Sequence, residues 1–100
     1  MTNWNPSEAE KLAETFGIVL GAAACNDDIS DERIASASEK MRGVLSAAAN
    51  DAADARAACD RFSAAVVSGR AAAQAGRINR GSATSALSEL EELIEGTMPT

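Results

Sequence analysis

The fold is decided by residues 31–78, DERIASASEKMRGVLSAAANDAADARAACDRFSAAVVSGRAAAQAGRI. From Ile34 onward, apolar or small residues recur at alternating steps of four and three, the spacing that places side chains on one face of an α-helix. That face comprises Ile34, Ser38, Met41, Leu45, Ala48, Ala52, Ala55, Cys59, Phe62, Val66, Gly69, Ala73 and Gly76. No stretch of the chain shows the two-residue alternation of a β-strand, so the pattern predicts an all-α protein.

The length of this stretch excludes a single rod in a compact monomer. As one helix it would span about 70 Å, whereas a compact domain of this size has a radius of gyration of about 13 Å. We therefore expect one break at Asn50-Asp51, where Asn is a favoured N-cap and acidic residues open the next turn. A second break is expected at Ser68-Gly69, because glycine commonly follows a helix end. The alternative is a coiled-coil homodimer with its seam from Met41 to Val66.

Further helices are predicted on both sides of this stretch. Asn5, Pro6 and Glu8 have the residue types of an N-cap, a first helical position and a capping box, and Trp4 is placed to pack back on the helix start or to anchor a partner. The buried face of this first helix is predicted to be Leu12, Phe16, Val19, Leu20 and Ala23. Ser82 is predicted to cap the last helix, whose apolar stripe is Leu87, Leu90 and Ile94.

The sequence thus predicts one domain, residues 1–100, folded as an all-α compact bundle of four to five short helices. Their expected ranges are about 6–24, 31–49, 51–67, 70–78 and 83–95. Alanine supplies half of the 46% hydrophobic residues, so the core is thin and the alanines at 48, 52, 55 and 58 predict a close approach of neighbouring helices.

The residues that are missing exclude much chemistry. The chain has no histidine and two cysteines, Cys25 and Cys59, without a third metal-ligand partner, so catalytic triads and zinc sites are excluded. We expect a non-enzyme with no catalytic residue, no cofactor and no metal. The cysteines are predicted to be reduced core residues, with a disulfide as the alternative. The apolar stretch 16–25 is too short to span a bilayer and follows an acidic leader, which predicts a cytoplasmic protein without membrane contact.

Charge is distributed in blocks along the chain. Residues 1–32 carry a net −6, residues 33–80 a net +4 and residues 81–100 a net −4. The acidic ends either pack over the basic middle as solvated faces or bind a basic surface of a protein partner. The partner-binding residues predicted on the second interpretation are Asp27, Asp28, Asp31, Glu32, Glu91 and Glu92. Direct nucleic-acid binding is not expected, because Arg70, Arg77 and Arg80 lack a nearby aromatic residue and the chain is acidic overall.

The whole-chain profile resembles that of small phage-encoded anti-CRISPR proteins that act on type I effector complexes. The features that carry the resemblance are the Asn5-Pro6-Ser7-Glu8 start, the patch from Asp27-Asp28 to Asp31-Glu32, and the Glu89-Leu90-Glu91-Glu92 tail. It is a likeness of profile without a motif that transfers residue by residue. It implies a non-catalytic inhibitor that binds subunits of the CRISPR Cascade and blocks target DNA binding. The alternative is a self-associating helical structural or adaptor protein.

Overall fold

The computed structural model describes residues 6–26, 29–49 and 51–97, which form four helices and contain no strand. The helices are α1 (Pro6–Ala23), α2 (Asp31–Ala48), α3 (Ala52–Gln74) and α4 (Arg80–Thr97). The predicted all-α bundle is therefore confirmed, and the radius of gyration of 13.0 Å is that of a compact domain.

Side-chain caps define the starts of α2 and α3. Ser30, the residue before the predicted start of the second helix at residue 31, caps α2, since its side chain accepts a hydrogen bond of 3.2 Å from the backbone N–H of Arg33. The predicted break between α2 and α3 is confirmed as well. Its cap is Asp51, whose carboxylate accepts a 2.8 Å bond from the N–H of Asp54. The caps predicted at Asn5 and Asn50, and the packing predicted for Trp4, fall outside the described residues.

The predicted break at Ser68-Gly69 is wrong. The helix continues through Gly69 to Gln74, so the predicted helices 51–67 and 70–78 are largely one helix. The turn that terminates the helix contains Gly76, which lies two residues after Gln74 and has a φ of +79°. The N–H groups of Gly76 and Arg77 donate to the carbonyls of Ala73 (3.1 Å) and Ala72 (2.9 Å), the paired bonds of a Schellman motif, whose left-handed position favours glycine.

The last helix begins three residues before the predicted start. The side-chain oxygen of Asn79 accepts a 3.0 Å hydrogen bond from the N–H of Ser82. Asn79 is therefore the N-cap, and Ser82 lies within the first turn of α4. The prediction of Ser82 as the cap is wrong, because Asn79, an equally good capping residue, precedes it.

The helices run alternately up and down. Gly17 of α1 lies beside Phe62 and Ala65 of α3, and Gly21 lies beside Val66, so these two helices point the same way. Asn26, just after α1, donates to Thr84 in the first turn of α4 at 3.0 Å, so α4 points the opposite way. The central helix is α1, which packs on the other three and most extensively on α3, whereas α3 and α4 barely touch.

The predicted apolar stripes form the core of the monomer. In α1, Leu12, Phe16, Leu20 and Ala23 are buried and Val19 is partly buried; in α4, Leu87 and Ile94 are buried and Leu90 is partly buried. Met41, Leu45 and Phe62 are also buried, and the Phe62 ring lies 6.2 Å from that of Phe16. The coiled-coil seam predicted from Met41 to Val66 is therefore wrong, because its large side chains already pack inside one chain.

Helices α1 and α3 meet backbone to backbone at three glycines. A Cβ added at Gly17 would lie 2.7 Å from the Cβ of Ala65, and one at Gly69 would lie 2.6 Å from the carbonyl carbon of Ile18. At Gly21 it would lie 2.8 Å from the backbone nitrogen of Arg70. Any larger residue would force the helices apart. A close approach was predicted at Ala48, Ala52, Ala55 and Ala58, whereas the backbone contact lies at these three glycines. Of the four alanines, Ala58 is buried, Ala55 is partly buried, Ala52 is exposed, and the side chain of Ala48 lies outside what the structure describes.

Candidate functional site

Two basic side chains of α2 connect it to α4. The guanidinium of Arg33 donates to the Ser88 hydroxyl at 2.6 Å and to the Glu91 carboxylate at 3.4 Å. One face of α2 also carries Lys40, seven residues on, whose ammonium donates to Glu91 at 3.4 Å and to Glu95 at 2.6 Å. The two cations thus share Glu91 and fix the position of α4 beside α2.

The ion pairs of Lys40 favour its charged form. The hydrogen bond to Glu95 raises the pKa of Lys40 above its ordinary value of 10.5; partial burial opposes this rise and the Glu91 hydrogen bond adds to it. The side chain of Glu91 is only 15% exposed. Its carboxylate is therefore used to hold the fold together, as the first interpretation of the acidic ends predicted.

Besides Glu91 and Glu95, five carboxylates of α2 and α4 are exposed: Asp31, Glu32, Glu39, Glu89 and Glu92. We call the last four of these the acidic face. Among residues 6–26, 29–49 and 51–97, none of the four has an ion-pair partner within 4.0 Å. Of the cations of α2, Arg33 and Lys40 are already paired with Glu91 and Glu95, whereas Arg42 is exposed. The acidic face therefore presents four carboxylates that have no ion-pair partner in the described part of the chain, on two helices that are held side by side.

The structure separates the residues predicted to bind a partner. Asp31 and Glu32 are exposed in the first turn of α2, and Glu92 is exposed on α4. Glu91 is turned towards α2, and Asp27 and Asp28 lie outside the described residues. Because Arg33 bonds to Ser88 and Glu91 of α4, the adjacent Glu32 lies near the contact between α2 and α4, although the sequence placed it in a separate cluster from Glu92.

Sequence reasoning missed Glu39 as a member of this surface. It lies in the block of residues 33–80, whose net charge of +4 conceals it. Helical phase could have found it, since Glu32 and Glu39 are seven residues apart and fall on one face of α2.

The end of the bundle that carries the α1–α2 and α3–α4 connections has mixed charge. Arg77 and Arg80 are exposed beside the α3–α4 turn, and Asp31 and Glu32 are exposed at the start of α2. The bond from Asn26 to Thr84 brings the two connections together. Opposite charges at this end weaken one another's field, so the acidic character is greatest towards the carboxyl end of α4.

The two cysteines are free and partly buried. The Cys25 sulfur lies 3.6 Å from the carbonyl oxygen of Gly21 and 3.8 Å from that of Arg70. Cys59 precedes Arg70 by eleven residues, which is about 16 Å along the axis of α3. A disulfide requires Cα atoms within about 7 Å of each other, so this fold excludes one between Cys25 and Cys59.

These features define a class: a small four-helix bundle with one glycine-mediated helix contact and an exposed acidic face. Across the described residues, no group of three or more potential ligands is arranged to hold a metal ion. None of the four helices, over the residues that the structure describes, is both long and apolar enough to cross a bilayer. Comparison of the chain with protein-family models, curated proteins and solved structures finds no match.

Proposed function

We propose that the protein is a cytoplasmic, non-catalytic inhibitor that binds the basic, nucleic-acid-contacting surface of a protein partner through its acidic face. The observation that carries this proposal is the set of four exposed carboxylates without a cation partner among the described residues. Lysine and arginine side chains that bind phosphate also form charge-assisted hydrogen bonds with carboxylates. A fixed array of carboxylates can therefore occupy such a surface without any reaction.

The placement of the glutamates is not explained by the stability of α4. The four glutamates of α4 all lie in the second half of the helix, whose last turn has no basic residue: Glu89, Glu91, Glu92 and Glu95. Negative charge in the last turn of a helix is unfavourable by about 0.3–1 kcal/mol, and Glu95, which lies there, is compensated by Lys40. Arg33 and Lys40 also hold Glu91, whereas Glu89 and Glu92 have no ion-pair partner among the described residues and so do not stabilise the bundle in this way. A role in binding accounts for them.

The expected strength of the interaction follows from the exposure of these groups. Each exposed ion pair contributes about 0.2–1 kcal/mol, so four pairs contribute on the order of 1–4 kcal/mol to a complex. Charges of this kind mainly accelerate association and lose their effect as salt screens them. We therefore expect a complex whose affinity falls steeply between low and physiological salt.

Type I CRISPR effector complexes are the partner that the whole-chain resemblance implies, and they provide the first test. The experiment measures target DNA binding by a purified type I effector complex, with and without the protein. We expect inhibition of DNA binding that weakens with added salt. Unchanged DNA binding at a large excess of protein would reject this partner.

Matched charge reversals test the surface itself. Glu92→Lys changes an exposed residue of the acidic face, and Glu14→Lys makes the same change at an exposed residue of α1. We expect Glu92→Lys to weaken inhibition about three- to tenfold, with Glu14→Lys within about twofold of the unmodified protein. Equal effects of the two changes would show that net charge, and not this face, determines binding.

The alternative function, a self-associating structural or adaptor protein, requires a different surface from the one predicted. Met41, Leu45 and Phe62 are at most 1% exposed, so these large side chains of the stripe over residues 41–66 are not available to a second chain.

A further inference from the structure

Helix α4 is attached to the bundle differently from α3. Helix α3 meets α1 backbone to backbone at Gly17, Gly21 and Gly69. At Gly81 of α4, an added Cβ would meet only the side chain of Asn79, the cap of the same helix, at 3.3 Å. Helix α4 packs mainly on α1, less on α2 and hardly on α3. Side chains, and not a close backbone contact at Gly81, therefore hold α4 in place.

Polar side chains connect α4 to the rest of the bundle along its length. Near its start, the Thr84 hydroxyl accepts a hydrogen bond of 3.0 Å from Asn26. Farther along, charged side chains join it to α2 over N–O distances of 2.6 to 3.4 Å. We call these the α2–α4 cluster: Arg33, Lys40, Glu91 and Glu95.

The net charges of the helices show why this cluster matters. Helix α4 carries four acidic residues and one basic residue, and α1, on which it mainly packs, carries three acidic residues and one basic residue. Like net charges repel, which opposes the packing of α4 on α1. Arg33 and Lys40 of α2 supply the cations that attract α4 to the bundle.

We propose that α4 opens from the bundle as one unit while α1 and α3 stay packed, and that the α2–α4 cluster determines how often it opens. Elements with few buried apolar contacts open before the rest of a domain, as cooperative units. The connection to α3 contains Gly76, which has a φ of +79°. Glycine adopts φ values of either sign, so the chain can change direction there while α3 stays folded.

Opening of α4 divides the acidic face. Its carboxylates on α2 and those on α4 belong to one surface only while α4 is closed. A partner that contacts both helices therefore binds the closed state and favours it. This consequence rests on the proposed function, whereas the opening itself is a property of the free protein.

Hydrogen–deuterium exchange of the full chain alone, at increasing urea concentrations below its unfolding transition, tests the opening. The amides of residues 83–95 are expected to exchange as one group, at least about tenfold faster than the slowest amides of residues 17–21 and 62–69. Their exchange should also depend less on urea, because opening α4 exposes less surface than complete unfolding does. Equal rates and equal urea dependence in the three segments overturn the proposal.

A variant of α3 distinguishes a separate opening from complete unfolding. Ala64→Gly, at an exposed position of α3, destabilises that helix and should raise the slowest exchange of residues 62–69 about two- to fivefold. Exchange of residues 83–95 should stay within about twofold of the original, because α3 remains folded when α4 opens. An equal increase in both segments overturns the proposal.

Two matched variants of α2 test the cluster. Lys40→Met removes two ion pairs to α4 and should raise the exchange of residues 83–95 about three- to tenfold. Arg42→Met, the same change at an exposed cation of α2 outside the cluster, should leave it within about twofold. Equal effects of the two changes overturn the role of the cluster. These measurements need no partner, so they decide about the opening whether or not the proposed function holds.

Discussion

Replacing Gly69 with alanine tests the backbone contact between α1 and α3. In an ordinary helix, alanine is more favourable than glycine by about 1 kcal/mol. Here the added Cβ would lie 2.6 Å from the carbonyl carbon of Ile18, against the 3.4 Å at which ordinary contact begins. The neighbour is backbone of α1, which cannot rotate away as a side chain can, so the two helices must separate.

The magnitude follows from these opposing effects. Forcing extra volume into a packed contact costs about 1–3 kcal/mol, and a backbone obstacle places Gly69→Ala at the upper end of that range or beyond it. After the gain in helix propensity, we expect a net loss of about 2–3 kcal/mol. For a chain of this length, about 1 kcal/mol corresponds to about 5 °C in Tm, so the melting temperature should fall by about 10–15 °C.

Gly43 provides the matched control, because a Cβ added there in α2 meets no atom within 4 Å. Gly43→Ala should therefore stabilise the protein by about 0.5–1 kcal/mol. Urea and thermal unfolding, followed by far-ultraviolet circular dichroism, measure both variants. If Gly69→Ala is as stable as Gly43→Ala, the argument for backbone contact at Gly69 is refuted.

Three further predictions concern the ion pairs, the last helix cap and the thiols. Lys40→Met should lower stability at neutral pH, and its difference from the original protein should shrink as pH rises beyond 10.5, because a pKa raised by folding stabilises the fold only while the ammonium is charged; urea unfolding between neutral and strongly alkaline pH measures this, and a constant difference contradicts it. Asn79→Ala should cost about 1 kcal/mol and Ser82→Ala less than about 0.5 kcal/mol in thermal unfolding, since Asn79 is the cap; the reverse order would place the cap at Ser82. Mass spectrometry without reductant should find Cys25 and Cys59 both as free thiols, and an internal disulfide would show that the helices are arranged differently.

The sequence predicts a helix boundary where one local interaction, a side-chain cap, determines it. The cap at Ser30 and the break before α3 follow from residues that bond their own backbone. Glycine is ambiguous, because it both ends helices and permits close contact. Gly69 serves the second purpose and Gly76 the first, a distinction that depends on α1, which is distant in sequence.

The spacing of small residues in α1 and α3 also indicates this contact. Gly17 and Gly21 are four residues apart on one face of α1, and Ala65, Gly69 and Ala73 are spaced by four in α3. Small residues at this spacing allow two helix backbones to approach. Two such series in one chain favour a contact between the helices over a helix end at Gly69.

The candidate site could be predicted only in part for a similar reason. The net charges of successive stretches of the sequence identified both acidic ends of the chain. They could not show which of Glu91 and Glu92 pairs with a cation and which faces solvent. Adjacent residues are rotated by about 100° around a helix, so Glu91 meets Arg33 and Lys40 while Glu92 faces solvent. Which of the two is free depends on how α4 is turned against α2, which is a property of the packed bundle.

The most direct test of the proposed binding face is hydrogen–deuterium exchange of the protein alone and in complex with a type I effector complex. Binding through the acidic face predicts slower exchange in residues 31–40 and 89–95, with little change in residues 6–23. Protection confined to α1 or α3, or exchange that is the same with and without the effector complex, would contradict it.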